Sequence, residues 1–452
     1  MMNNLRCLGV TIVSLLLTPL IHAQNAAAPN PQLSAVLFRN ARVFDGVKEE
    51  IRGPVDVLVQ GNKIIKISTT PIHPDVETKV IDGAGRTLMP GLIDAHYHIM
   101  LAAMPMQVAL TADLGYINLV AAKEAQATLM RGFTSIRDMG GPAFGLKRAI
   151  DQGLYPGPRI YPSGAMISQT SGHGDFRMPY EVPRTIGDPL SRVEQEGVAI
   201  IADGPDQVLM RAREQLMLGA SQLKLMAGGG VASLYDPLDA VQYNPEEIHA
   251  AVEAAANWNT YVTVHAYTPA AIQMAIGAGV KCIEHGQLAD EATVKLMAEK
   301  GVWWSLQPFL ADEDSNKQSN PASRAKQLEV GQGTENAYRL AKKYHIKTAW
   351  GTDILFSPTG GVSQDRQLTK LTRWYTPAEV LRMATGDNAQ LLALSGPRDP
   401  YPGKLGVVEE GALADLLLVQ GDPVANIKLI ETPEASLVVI MKDGKIYKNL
   451  LP

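Results

Sequence analysis

Two kinds of hydrophobic patterning divide the chain. From Ala35 to Pro90, the runs VLFRNARVFDG, VDVLVQGNKIIKIS and KVIDGAGRTLMPG are broken by Gly-Asn and Asp-Gly turns and show no helical period. Short apolar runs bounded by turn residues predict β-strands. A matching set, GALADLLLVQGDP and SLVVIMKDGKIYKN, closes the chain. Strand-rich ends around a long middle predict one small β-sandwich made from both termini, residues 34–90 and 404–450. The middle, 91–403, alternates differently. Apolar strands LIDAH, FTSIRDM, RIYPSG, QLKLMA, YVTVHA, VKCIEH, VWWSLQP and IKTAWGTD are separated by helical stretches such as PEEIHAAVEAAANW, PAAIQMAIGAG and EATVKLMAEKG. Repeated strand–helix units imply a parallel sheet. Eight strands predict an α/β fold, a (β/α)8 TIM barrel, with chemistry at the C-terminal ends of its strands.

Composition adds bounds. Hydrophobic residues make up 46% of the 452 positions and aromatics 6%, so a large aliphatic core is available. The net charge of −5 and the lack of a long basic run argue against a nucleic-acid partner. Residues 1–23 read as a secretory signal: Arg6 supplies a positive start, Cys7 to Ile21 is apolar, Pro19 interrupts it and Ala23 is a cleavage candidate. The expected mature protein starts near Gln24, is exported to the periplasm or secreted, and is not membrane-bound once the signal is removed. A retained anchor is the alternative. With the signal gone only Cys282 remains, so no intrachain disulfide can form.

The candidate chemistry sits where polar residues break the apolar strands. His96 and His98 alternate at the end of LIDAHYH and so share a face. Lys224 lies inside SQLKLMAGGG, His265 ends YVTVHA, His285 ends VKCIEH, and Asp353 ends TAWGTD. A charged group in such a strand is costly unless paired or metal-bound. Four imidazoles and a carboxylate suit two zinc-like ions. A buried lysine can lose its proton, and the neutral amine can take up carbon dioxide to become a carbamate ligand; the alternative is a Lys224–Asp353 salt bridge. Cys282 and the structural histidines His249 and His345 are assigned to packing.

These features resemble the amidohydrolase superfamily of metal-dependent hydrolases. PGLIDAHYH, the Lys224 strand, His265, His285, Asp353 and GALADLLLV carry the likeness, which covers nearly everything after the signal. SGHGD, KLMAGGGVAS, HAYTPAAI and CIEHG are similar to the imidazolonepropionase-like dipeptidase and carboxypeptidase branch, which includes ochratoxin-degrading amidohydrolases. The resemblance implies two divalent ions. His96, His98 and Asp353 would hold the first, His265 and His285 the second, and N6-carboxylated Lys224 would bridge them. It further implies a water acidified by both ions, Asp353 as base and then acid, and His173 hydrogen-bonded to substrate. The expected substrate is a small-molecule amide or dipeptide, and relatives often form symmetric homo-oligomers. Arg177 and Tyr235 are candidates to meet a substrate carboxylate. Asp138 is expected to order the barrel mouth, and Tyr97, larger than the family's usual residue, to point away from the metals. A mononuclear ring-opening hydrolase or deaminase is the competing enzyme class. A solute-binding or metal-storage protein is the non-catalytic one.

Overall fold

The computed structural model describes residues 35–233 and 235–452. The expected signal segment lies outside the described residues. The two ends of the described chain join in one mixed sheet of eight strands. Five come from the N-terminal side (Ala35–Phe44, Ile51–Gln60, Lys63–Ser68, Lys79–Asp82, Thr87–Pro90) and three from the C-terminal side (Leu416–Val419, Leu437–Lys442, Lys445–Asn449). Thr87–Pro90 sits at the join, parallel to Ala35–Phe44 and antiparallel to Leu416–Val419. The segments expected to form a β-sandwich lie in one continuous sheet that curls on itself. Its far edge bonds back to the C-terminal segment through Ile64 N to Ala412 O (3.0 Å) and Ala414 N to Asn62 O (2.8 Å). Period-2 patterning shows which face is buried, but not whether the faces belong to one sheet or two. Asp443 and Gly444 turn the last hairpin with φ of 54° and 71°, the paired left-handed geometry of a type I′ turn.

The chain leaves this sheet at Gly91, where a Cβ would fall 2.0 Å from Thr134 Oγ1. Eight strands follow: β1 Leu92–Tyr97, β2 Phe133–Asp138, β3 Arg159–Pro162, β4 Leu223–Met226, β5 Val262–Ala266, β6 Cys282–His285, β7 Trp303–Leu306 and β8 Thr348–Trp350. β1, β2 and β3 form one parallel sheet, and β4 to β8 form the run of a second. Helices such as Leu114–Met130, Pro245–Asn257 and Pro321–Lys343 connect them. Two short strands absent from the hydrophobic pattern, Met166–Ser168 and Ala199–Ile201, extend the second sheet beside β4. At three residues each they are too short to show a period.

The two parallel sheets meet at both seams. Ser221 N donates to Pro162 O (2.8 Å) and Gln222 Nε2 to Tyr161 O (3.0 Å), joining β3 to the start of β4. At the other seam the buried Asn388 amide donates to Ile93 O (2.7 Å) and Trp350 O (2.8 Å), and Asp353 N donates to His96 O (2.8 Å). Trp304 packs outward among the helix-facing core, while Trp303 joins an inner cluster with Ile93, Tyr261 and Cys282. Among the described residues no helix is long and apolar enough to cross a membrane.

Candidate active site

Six side chains from the strand ends meet at one cavity of about 410 Å³: His96, His98, Lys224, His265, His285 and Asp353. Asp353 is their hub. Its Oδ1 lies 3.3 Å from Nε2 of both His96 and His98, and its Oδ2 lies 4.0 Å from His285 Nδ1. Ligand atoms of His96, His285 and Asp353 fall within 4.8 Å of one another.

Each imidazole has one ring nitrogen anchored to protein. His96 Nδ1 meets Glu284 Oε2 at 2.7 Å, His98 Nδ1 meets Gly140 O at 3.1 Å, and His285 Nδ1 meets Gln307 Oε1 at 2.7 Å. His265 uses the other nitrogen, with Nε2 3.1 Å from Gly229 O. An acceptor on one nitrogen places the proton there and leaves the second nitrogen as a lone-pair donor. Three Nε2 atoms and one Nδ1 are thereby free as ligands. Burial holds His265 and His285 well below the ordinary histidine value, which keeps them neutral. His96 Nε2 is buried with no hydrogen-bond partner. An orphaned imidazole nitrogen facing a carboxylate and further imidazoles fits a divalent cation.

Local backbone geometry aims these groups. Strand alternation would put Glu284 and His285 on opposite faces. Both reach the site because His285 takes φ 71°, and Asp353 likewise takes φ 54°. Left-handed backbone is strained for these residue types and concentrates at functional positions.

Lys224 is buried and lines the cavity. Among the described residues it forms no ion pair; Asp353 instead faces histidines. Burial lowers its ammonium to about 8, against the opposing pull of Glu284 and Asp353. Its uncharged form is therefore accessible near neutral pH.

Beneath the histidines lies a network that the strand pattern did not reveal. Arg137, fully buried on β2, donates to Glu284 Oε1 (2.6 Å), Ala95 O (2.6 Å) and Tyr261 Oη (3.1 Å). Glu284 also accepts from Thr263 and, at 3.3 Å, from Cys282 Sγ. Burial alone would raise the Glu284 carboxyl, but Arg137 and His96 outweigh it and hold it well below the usual range. Glu284→Gln would leave the Arg137 charge uncompensated and is expected to cost about 3–5 kcal/mol of stability. Denaturant unfolding checks this, and a variant as stable as wild type would contradict it.

Asp138 ties down the loops after β1 and β2, its Oδ2 accepting from Ile99 N at 2.8 Å and its Oδ1 from Gly140 N at 3.3 Å. Tyr97 points away from the cavity and donates to Glu124 at 2.8 Å. His173 lines the cavity, its ring stacked on His265 with centroids 4.0 Å apart. Arg177 and Tyr235 do not line it, which corrects their expected meeting with a substrate carboxylate. The Arg177 guanidinium is neutralised by Asp175, at 2.8 Å to Oδ1 and 2.6 Å to Oδ2, and the Tyr235 hydroxyl donates to Arg177 O at 2.6 Å.

Histidines and a carboxylate converging on one cavity of a parallel α/β scaffold define a candidate metal centre. Residues 87–449 match the Amidohydrolase family, and the chain belongs to that family: it is a hydrolase acting on amide bonds. Its relatives narrow the picture. Ochratoxinase from Aspergillus niger is 34% identical over 383 residues, spanning 80% of this chain and 76% of the fungal one. The crystal structure of a prolidase complexed with N-methylphosphonate-L-proline superposes with TM-score 0.83 at 32% identity, covering 92% of this chain and 100% of that one. A Xaa-Pro dipeptidase with methionine in its active site gives TM-score 0.79 at 29% identity, with coverage of 92% and 100%.

Proposed function

We propose that this protein is a binuclear metal amidohydrolase that cleaves dipeptides, N-acyl amino acids or ochratoxin A-like amides. The observation that carries this reading is the set of four imidazoles, each anchored through one nitrogen and free at the other, around Asp353 and Lys224. His96, His98 and Asp353 would hold one ion, and His265 and His285 the other. The neutral Lys224 Nζ adds carbon dioxide and releases a proton, and the resulting carbamate would serve both ions. Zinc suits this nitrogen and oxygen donor set. Two divalent ions, when bound, acidify water toward a pKa of about 7 and polarise the scissile carbonyl.

The chain's own groups do the rest. Asp353 accepts the proton of the attacking water at a carboxylate oxygen and delivers it to the departing amine nitrogen. His173 reaches the substrate from the cavity wall. The parallel strands close into a (β/α)8 barrel, a reading supported by the hydrogen bonds at both seams. Export after cleavage near Ala23 and assembly into a homo-oligomer complete the proposal.

The cavity lining bears on the substrate. Its carboxylates are Asp353 and Asp314, and Asp314 is already paired with Arg366 (2.6 Å) and Lys370 (3.3 Å). Phe176, Tyr267, Phe309 and Phe356 supply aromatic surface. A side-chain ammonium on the leaving residue would find no free carboxylate among the described lining residues, and an unpaired buried charge costs several kcal/mol. The leaving amino acid therefore carries no cationic side chain, as in the Xaa-Pro substrate named for one relative. The test is a panel of Xaa-Phe, Xaa-Pro, Xaa-Lys, Xaa-Arg and ochratoxin A, with metal-loaded enzyme. Neutral leaving residues should exceed Xaa-Lys and Xaa-Arg by about tenfold or more in kcat/KM. Equal rates would remove the charge argument, and no cleavage of any of these amides would remove the function.

A further inference from the structure

We propose that Asp236 is the positioning residue of His173, forming an Asp–His pair that turns the other ring nitrogen, Nε2, toward substrate. The inference rests on His173 being a substrate contact, as read above. The His173 ring is clamped between His265, at 4.0 Å between centroids, and the backbone at Gly230. A Cβ on Gly230 would fall 1.9 Å from His173 Nδ1, so the glycine is what admits the ring. Nδ1 of His173 is buried and has no hydrogen-bond partner, and neither has Oδ1 of Asp236. Oδ2 of the same carboxylate lies 3.9 Å from that Nδ1. Buried polar atoms without partners are costly, and here the two are a potential donor and an acceptor on neighbouring side chains.

The surroundings keep the carboxylate facing the ring. Asp236 Oδ2 accepts from Gly230 N at 2.7 Å and from Gln242 Nε2 at 3.1 Å. Gln242 Oε1 in turn accepts from His173 N at 2.9 Å, so one glutamine fixes both partners. Lys326, on the helix Pro321–Lys343, donates to Gly230 O (3.1 Å) and Asp236 O (2.5 Å) and fastens the loop from outside. A carboxylate opposite Nδ1 places the ring proton there and leaves the Nε2 lone pair on the cavity side. Reaching hydrogen-bond length needs a shift of about 1 Å, and catalytic hydrogen bonds often tighten in this way when substrate binds. Asp236 touches neither substrate nor metal ligand in this arrangement; it acts through His173.

A double-mutant cycle tests this, using Asp236→Asn, His173→Asn and the double variant in the metal-loaded full chain. Asn keeps an acceptor for Gly230 N but loses the carboxylate charge, so it holds the ring proton at Nδ1 less firmly. Asp236→Asn is expected to lower kcat about 10- to 100-fold, with KM and metal content little changed. In the His173→Asn background the same substitution should cost nothing further, because its only route of action is gone. Losses that multiply independently, or a wild-type kcat for Asp236→Asn beside an impaired His173→Asn, would overturn the pairing while leaving the amidohydrolase reading intact. Wild-type activity of His173→Asn would overturn both this proposal and the substrate role of His173. Should Asp236→Asn fail to fold, nitrogen-15 NMR of histidine-labelled wild type decides. The resonance missing from the His173→Asn spectrum should report a proton on Nδ1, and a proton on Nε2 would refute the pairing.

Discussion

Asp353→Asn is expected to reduce turnover about 10²–10⁴-fold or more while the fold and much of the bound metal persist. The size follows from what the substitution removes. The Asp353 carboxylate faces Nε2 of His96 and His98 at 3.3 Å and lines the cavity. Burial would raise its pKa, but His96 and His98, which face it at 3.3 Å, outweigh this and hold it well below the usual carboxylate range. It is ionised at neutral pH and can take a proton from water. An amide oxygen can still face a cation but cannot accept and return a proton. The backbone is held independently, by Asp353 N donating to His96 O at 2.8 Å, so the strand end should survive. Metal content and turnover are measured together on one good substrate. Full metal with near-normal turnover would take Asp353 out of the mechanism. Loss of both metals would make it a ligand alone.

Lys224→Ala should lose one ion per chain and most activity, because it removes the only lysine that β4 sends into the cavity beside the histidines. The side chain is buried, forms no ion pair among the described residues and has its ammonium lowered to about 8. A lysine kept only for an ion pair would show a carboxylate partner, and Asp353 faces histidines instead. Short carboxylic acids such as formate or propionate should restore part of the rate by occupying the vacated space with an anionic oxygen pair. A variant with wild-type rate and metal content would reduce Lys224 to a packing residue.

The residues that converge on the cavity were legible in the sequence for one physical reason. Ionisable side chains at His96, His98, Lys224, His265, His285 and Asp353 interrupt strands that are otherwise apolar, and a cost of that kind demands a partner. What anchors those residues was not legible. Glu284 stands next to His285, and period-2 alternation assigns one of the two to the outside; only the φ of 71° at His285 brings both inward. Arg137 carries a charge inside β2, and its partner Glu284 lies far away in sequence, on β6. Gln307 and Asn388 act through their side-chain amides, on His285 and across the β1–β8 seam, and such contacts carry no periodic signature. Arg177 failed as a carboxylate contact because its partner, Asp175, lies only two residues away. The curled terminal sheet likewise depends on pairing between residues more than three hundred positions apart, such as Ile64 with Ala412, and local patterning does not encode such pairs.

Two ions are expected to share this donor set. The most direct measurement is activity during stepwise metal addition to chelator-treated protein, with bound metal counted per chain by elemental analysis. Activity should reach its plateau at two zinc ions per chain. Full activity at one ion per chain would contradict the binuclear assignment.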